Sequence, residues 1–75
     1  MVDCEVYNRF KEVVPVERLD DLSYDEVRKD CNVAFKIIGY SPKNLDTSIE
    51  KAWESSTALS LFEFIYDVYE VDSNG

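Results

Sequence analysis

The segment from residue 58 to residue 71 is the strongest constraint on how this 75-residue chain can fold. Ten of its fourteen residues are apolar, and its polar residues, Ser60, Glu63, Asp67 and Glu70, recur every three or four positions. A helix turns by about 100° per residue, so these four residues and Ser56 form one narrow stripe. The rest of the circumference is apolar, and such a helix must be covered on most sides. It is therefore either the central helix of a bundle or a helix that shares a face with another chain.

A second helix has the clearest boundaries in the sequence. Ser23-Tyr24-Asp25-Glu26 matches a capping box, in which the serine accepts from the third backbone N–H and the glutamate reaches back. Apolar residues recur at helical spacing as far as Ile38, and Gly39 suits the left-handed position after a helix. We expect this helix and the apolar segment above to form the core together. The residues in contact would be Tyr24, Val27, Cys31, Phe35 and Ile38 against Leu61, Phe62, Ile65 and Val68.

Weaker signals place the other boundaries and predict an all-α, small four-helix bundle in a single domain. Asp3 is a candidate N-cap for the first helix, and Pro15 follows its end. Ser41-Pro42 is a start signal for the third helix, with a start a few residues later as an alternative. Ser55-Ser56-Thr57 favour a break before the fourth. The predicted helices span approximately residues 3–14, 24–38, 42–55 and 57–71, and residues 72–75 are expected to fray.

Composition excludes several classes of function. The chain has sixteen acidic and eight basic residues, no histidine and a formal net charge of −8. Without histidine the commonest general base and metal ligand are missing, so we expect no enzyme activity, no catalytic residue, no metal and no cofactor. The negative charge disfavours direct binding to nucleic acid or to a membrane surface, and no apolar run could span a membrane. The acidic N-terminus lacks signal-peptide features, which favours a cytoplasmic location with Cys4 and Cys31 as separate thiols.

The acidity is concentrated towards the C-terminus. Residues 1–51 carry eleven acids and eight bases, whereas residues 52–75 carry five acids and no base. Glu63, Asp67 and Glu70 would form a column with about 5 to 6 Å between neighbours, comparable with successive phosphates along a nucleic-acid strand. We expect a further acid at the head of this column and aromatic anchors along its borders. The predicted partner-binding residues are Glu54, Glu63, Asp67, Glu70, Trp53, Tyr66 and Tyr69.

These features predict a non-enzymatic protein-interaction module whose partner is a protein with a basic surface, such as a nucleic-acid-binding site. We expect an inhibitor or antagonist in the style of phage anti-host and anti-defence factors, immunity proteins and antitoxins, although no motif identifies any of these families. A homodimer or larger structural oligomer, assembled through the apolar face of the fourth helix, is the alternative. On the simplest interpretation, the acidic column is only the solvated face of an amphipathic helix.

An acyl carrier protein is a third alternative, because that family has a similar length, acidity and helix count. Its attachment serine lies in an Asp-Ser-Leu triplet at a helix N-terminus. The nearest matches here, around Ser48 and Ser23, both depart from that triplet. Only 27 residues follow Ser48, which are too few for the three helices that would have to follow the serine. This class is therefore the least favoured of the three.

Overall fold

The computed structural model describes residues 4–74, in which four α-helices form a bundle. The helices are α1, Cys4–Val13; α2, Tyr24–Ile38; α3, Leu45–Ser55; and α4, Leu61–Asn74. A short 3-10 helix, Leu19–Asp21, lies between α1 and α2. The prediction of an all-α four-helix fold is confirmed, while the candidate N-cap Asp3 lies outside the described residues. No helix within residues 4–74 is long and apolar enough to cross a membrane.

The boundaries of α2 agree with the prediction because its start and stop signals are local. The Ser23 hydroxyl accepts the Glu26 N–H at 3.2 Å, and the Glu26 carboxylate accepts the Ser23 N–H at 3.4 Å, which completes the capping box. Gly39 follows the helix with a φ of 77°, a left-handed conformation that costs little without a Cβ atom. Its N–H donates to the Lys36 carbonyl at 3.2 Å and satisfies one of the free carbonyls at the helix end.

Helix α4 is the central helix, and it contacts all three of the others. Its Leu61, Phe64, Ile65 and Val68 are completely buried, so most of the apolar circumference is covered within the chain. The packing of α4 is most extensive against α3, whereas the sequence suggested α2. Phe62, predicted to lie in the core, is only half-buried. Tyr66 of α4 is buried as well, and the other helices and their ends contribute the remaining buried apolar residues, which are Phe10, Val14, Val27, Cys31, Ala34, Phe35, Ile38, Ile49 and Ala52.

Helix α4 begins at Leu61 and not at residue 57 because residues 59–61 pair with the connection that follows α1. The Leu61 N–H donates to the Glu17 carbonyl, and the Leu19 N–H donates to the Leu59 carbonyl, both at 3.0 Å. The N–H of Leu61 has no partner within the helix, so the bond to Glu17 satisfies it. The backbone of the preceding residues is thereby held in an extended conformation and cannot extend the helix.

A local cap at Ser60 fixes the same boundary. The Ser60 hydroxyl accepts the Glu63 N–H at 3.2 Å, and the Glu63 carboxylate accepts the Leu59 N–H at 3.2 Å. The spacing of Ser60 and Glu63 is the serine-to-glutamate spacing of a capping box, with the glutamate bonded one residue further back. This signal is present in the sequence and was overlooked beside the run of Ser55-Ser56-Thr57.

Helix α3 begins at residue 45, later than Ser41-Pro42 implied. Its N-cap is Asn44, whose side-chain oxygen accepts the Thr47 N–H at 3.4 Å. The backbone N–H groups of Lys43 and Asn44 both donate to the Asp72 carboxylate at 2.9 Å. Because this contact holds the chain before α3 in a non-helical conformation, the start signal at Ser41-Pro42 is not used.

The expectation of a frayed C-terminal tail is wrong for Asp72. Helix α4 continues past this residue, and Asp72 is only 2% exposed. Besides the N–H groups of Lys43 and Asn44, its carboxylate accepts the hydroxyls of Tyr40 at 2.7 Å and Ser48 at 3.2 Å. Burial acts to raise the pKa of the Asp72 carboxyl, but the four hydrogen bonds outweigh it and hold this pKa below its ordinary value. One carboxylate thus joins the end of α4 to the start of α3.

Candidate protein-binding surface

Glu63, Asp67 and Glu70 follow one edge of α4, as their spacing requires, and we call them the acidic row. Glu63 and Glu70 are exposed, while Asp67 is half-buried and accepts the Ser56 hydroxyl at 2.6 Å. Neighbours in such a row are about 5 to 6 Å apart. The ion pairs found among residues 4–74 lie within α1 and between α2 and α3. The charge of the acidic row is therefore not compensated by an ion pair within the described part of the chain.

Glu54 lies away from the acidic row. The buried residues of α3 are Ser48, Ile49 and Ala52, and Glu54 is exposed about half a turn around the helix from Ala52. The sequence placed Glu54 near the head of the row because it precedes α4 along the chain. Glu54 instead belongs to α3, and it faces solvent on the side of that helix opposite its buried residues.

The three predicted aromatic anchors do not lie together. Trp53 is 41% exposed and packs edge-to-face on Tyr24 and Phe64, with ring centroids 5.0 and 5.6 Å apart. Tyr66 and Tyr69 lie on the other side of α4 in a second aromatic group, with their centroids 5.7 Å apart. Tyr66 is only 7% exposed and Tyr69 is half-buried. The two tyrosines therefore contribute mainly to packing, and Trp53 keeps the largest exposed fraction of the three.

A groove between α1 and α4, which the sequence did not predict, borders the acidic row. We call it the α1–α4 groove, and its volume is about 490 Å³. Its aromatic floor is formed where Tyr7 packs edge-to-face on Phe62 and Tyr66, with centroid distances of 4.9 and 5.6 Å. Glu63 and Asp67 lie on its α4 side. The groove thus places carboxylates of the acidic row next to partly exposed apolar rings.

The opposite side of the α1–α4 groove is formed by α1 and the extended connection that follows it. Pro15 ends α1, and the pairing of this connection with residues 59–61 holds Val16 outside the core, where it is 103% exposed. Lys11 and Glu17 are the charged residues of this side. With the two acids of α4, the groove carries three carboxylates and one ammonium group. Its lining is negative overall.

No family model, curated protein or solved structure matches this chain. A functional assignment therefore depends on the surface itself. Within residues 4–74, no cluster of three or more cysteine, aspartate and glutamate side chains could hold a metal ion. Two concave features of the described part of the chain include acids of the row: the α1–α4 groove, with Glu63 and Asp67, and a smaller one between α3 and α4, with Asp67 and Glu70.

The hydroxyl and thiol groups considered from the sequence have structural surroundings. Ser48 is buried and donates its hydroxyl to Asp72, so a group attached there would break that bond. Ser23 is the N-cap of α2. Cys4 and Cys31 are both free thiols, the first exposed and the second buried. Burial raises the pKa of the Cys31 thiol to about 12, which leaves it protonated and unreactive at neutral pH.

Proposed function

We propose that this protein is a non-enzymatic binding module that acts as an inhibitor or antagonist in the cytoplasm by covering a basic site on a partner protein. One observation carries the proposal: Glu63 and Asp67 of the uncompensated acidic row lie directly beside the apolar floor of the α1–α4 groove. Carboxylates bind arginine and lysine through charge-assisted hydrogen bonds, and apolar anchors supply much of the energy of an interface. A basic site covered in this way would be closed to its usual ligand.

The overall charge supports the same function. A net charge of −8 attracts a basic partner over a distance of about one Debye length and repels other acidic surfaces. Such complementarity raises the association rate and makes binding sensitive to salt. The solvated-face interpretation of the acidic row predicts neither a partner nor a salt-dependent complex, so the two can be distinguished by experiment.

The chain offers a matched pair of charge reversals for this test. Glu70 belongs to the acidic row, whereas Glu54 lies on α3 and faces away from the buried side of that helix. Both residues are exposed. Glu70→Lys and Glu54→Lys therefore change the net charge equally at two different surfaces. Proteins retained from a lysate of the source organism by the immobilised wild-type chain would be identified by mass spectrometry. Each would then be purified, and its affinity would be measured by calorimetry at low and high salt.

The proposal expects a partner with a basic surface whose affinity falls with salt. It also expects binding to weaken by about tenfold in Glu70→Lys and to change little in Glu54→Lys, because a rim charge acts locally. Equal losses in the two variants would mean that only net charge matters. A partner unaffected by either variant and by salt would show that the acidic row is a solvated helix face.

The structural oligomer has less support, because the apolar face on which it depends lies in the core. Leu61, Phe64, Ile65 and Val68 of α4 are completely buried within one chain. Size-exclusion chromatography with light scattering separates the two possibilities. The proposal expects a monomer, whereas a salt-insensitive dimer that Glu70→Lys leaves intact would favour the oligomer.

A further inference from the structure

We infer that the α1–α4 groove binds an extended segment of the partner protein in which arginine alternates with a large apolar residue. This assignment rests on the proposed function and specifies the chemistry of the partner. Its occupant is argued from two features of the groove, the exposed apolar surface on the α1 side and the carboxylates on the α4 side.

The apolar surface of the groove is larger than the fold requires. Val16 is 103% exposed and Tyr7 is 37% exposed, although both line a concave surface beside the half-buried Phe62. Burying a side chain as large as valine or leucine contributes favourably to binding. A volume of about 490 Å³ lies within the range of about 300 to 1,000 Å³ found for ligand pockets. The groove can therefore take apolar side chains from a partner segment.

The charges of the groove select basic residues in that segment. Glu63 and Asp67 lie one helical turn apart on the α4 side, and Glu17 adds a third carboxylate against the single ammonium of Lys11. Alternate residues of an extended chain are about 7 Å apart, close to the 5 to 6 Å between these two positions of α4. Two alternate basic residues can thus face Glu63 and Asp67 while apolar neighbours point to the α1 side.

Arginine suits this position better than lysine. Its planar guanidinium binds a carboxylate through two parallel hydrogen bonds and also stacks on aromatic rings. The floor of the groove supplies such rings in Tyr7 and Phe62, next to the carboxylates. A second copy of this chain is a poorer occupant, because it would bring a further net charge of −8 to a negative groove.

Three capped hexapeptides test the inference with defined probes. The first alternates arginine and leucine, the second alternates arginine and serine, and the third alternates glutamate and leucine. Each is titrated into the 15N-labelled protein, and amide chemical shifts report the affinity and the site. We expect the arginine–leucine peptide to shift groove residues and to bind about tenfold more tightly than the arginine–serine peptide, because leucine adds apolar burial. The glutamate–leucine peptide should not bind.

Two exposed valines provide matched variants that spare the fold. Val16 lines the groove, whereas Val33 lies on the outer face of α2 and is 54% exposed. Val16→Arg places a cation in the groove and removes an apolar contact, so it should weaken the arginine–leucine peptide by about tenfold. Val33→Arg should change its affinity by less than about twofold. A further variant of the groove, Glu63→Gln, keeps an acceptor for the Leu59 N–H and removes the negative charge. It should also weaken binding of the arginine–leucine peptide.

Several results would overturn the inference, and they differ from those that would overturn the proposed function. The groove would not be the peptide site if the arginine–leucine and arginine–serine peptides bound equally, or if Val16→Arg and Val33→Arg had equal effects. Either result would still leave the acidic row as the partner-binding surface. Absence of binding by all three peptides would also exclude the groove as a peptide site. Formation of a dimer that Val16→Arg abolishes would assign the groove to a second copy. The proposed function is tested separately, by the effects of Glu70→Lys, Glu54→Lys and salt on a captured partner.

Discussion

Replacement of Asp72 by asparagine should destabilise the fold strongly, although the two side chains have the same shape. One carboxylate oxygen accepts the Asn44 N–H and the Ser48 hydroxyl, and the other accepts the Lys43 N–H and the Tyr40 hydroxyl. The amide of asparagine has only one oxygen. The hydroxyls of Tyr40 and Ser48 can rotate to accept a hydrogen bond from the asparagine NH₂ group, but a backbone N–H can only donate. In either orientation of the amide, one backbone N–H therefore faces another donor.

The expected loss is about 3 kcal/mol. A hydrogen bond to a charged group contributes about 1.5 to 3 kcal/mol, and a buried donor left without a partner costs about 1 to 3 kcal/mol. These contributions overlap, since they describe the same carboxylate and its donors. At about 0.05 to 0.15 kcal/mol per residue, the whole domain has a free energy of unfolding of about 4 to 11 kcal/mol. Asp72→Asn would thus remove a substantial part of the stability.

Asp67→Asn is the matched control, because it makes the same change in the same helix. Asp67 accepts the Ser56 hydroxyl, which can rotate towards either atom of an amide. Its cost should be less than about 1 kcal/mol. Urea unfolding followed by circular dichroism gives both values, with similar slopes expected if the native fold is kept. An unfolding free energy for Asp72→Asn within about 0.5 kcal/mol of that for Asp67→Asn would refute the role of Asp72.

The destabilisation caused by Asp72→Asn should depend on pH. Because the folded protein holds the pKa of Asp72 below its ordinary value, the stabilisation is complete above the ordinary carboxyl pKa of about 4. It is lost as the pH falls from there through the lower folded value. The difference in unfolding free energy between wild type and Asp72→Asn should therefore be constant at neutral pH and shrink below about pH 4. A difference that grows on acidification would contradict this sign.

Three further predictions concern the helix ends and the thiols. Ser60→Ala removes the cap of α4 and should lower the unfolding free energy by about 1 kcal/mol in the same urea assay. No change would mean that the backbone pairing alone sets the start of α4. Gly39→Ala should cost about 1 kcal/mol through the backbone alone, because no heavy atom beyond the adjacent residues lies within 4 Å of the added Cβ. A stability equal to wild type would contradict the left-handed conformation. At pH 8, iodoacetamide should alkylate Cys4 readily and Cys31 only after unfolding in urea. The mass of the intact protein would show how many thiols are modified. Rapid modification of both thiols in the native protein would contradict the burial of Cys31.

The parts of the fold that the sequence predicted correctly depend on local determinants. The limits of α2 follow from Ser23 and Gly39, each of which acts within four residues along the chain. The starts of α3 and α4 depend on distant partners, namely Asp72 for the first and Glu17 for the second. A single sequence gives no sign that these groups meet. The caps at Asn44 and Ser60 are local as well, but competing start signals lie close to each of them in the sequence.

The same distinction applies to the candidate surface. The spacing within α4 placed the acidic row on one edge, because the helical period relates residues of one helix. It could not relate Glu54 to that row, since Glu54 belongs to a different helix, α3. The α1–α4 groove depends on Pro15 and Val16 lying beside Phe62, more than forty residues along the chain. No periodicity within either segment predicts this contact.

Site-specific photo-cross-linking tests the central claim most directly, because it reports which surface the partner touches. A benzophenone amino acid would be placed at position 16 in the groove, at position 70 in the acidic row, and at position 54 on the opposite side of α3. Cross-linking would be carried out in lysate, and the linked peptides would be sequenced by mass spectrometry. The account predicts that positions 16 and 70 link to the same protein through an arginine-containing segment and that position 54 does not. Links from position 54 alone, or to an acidic segment, would contradict it.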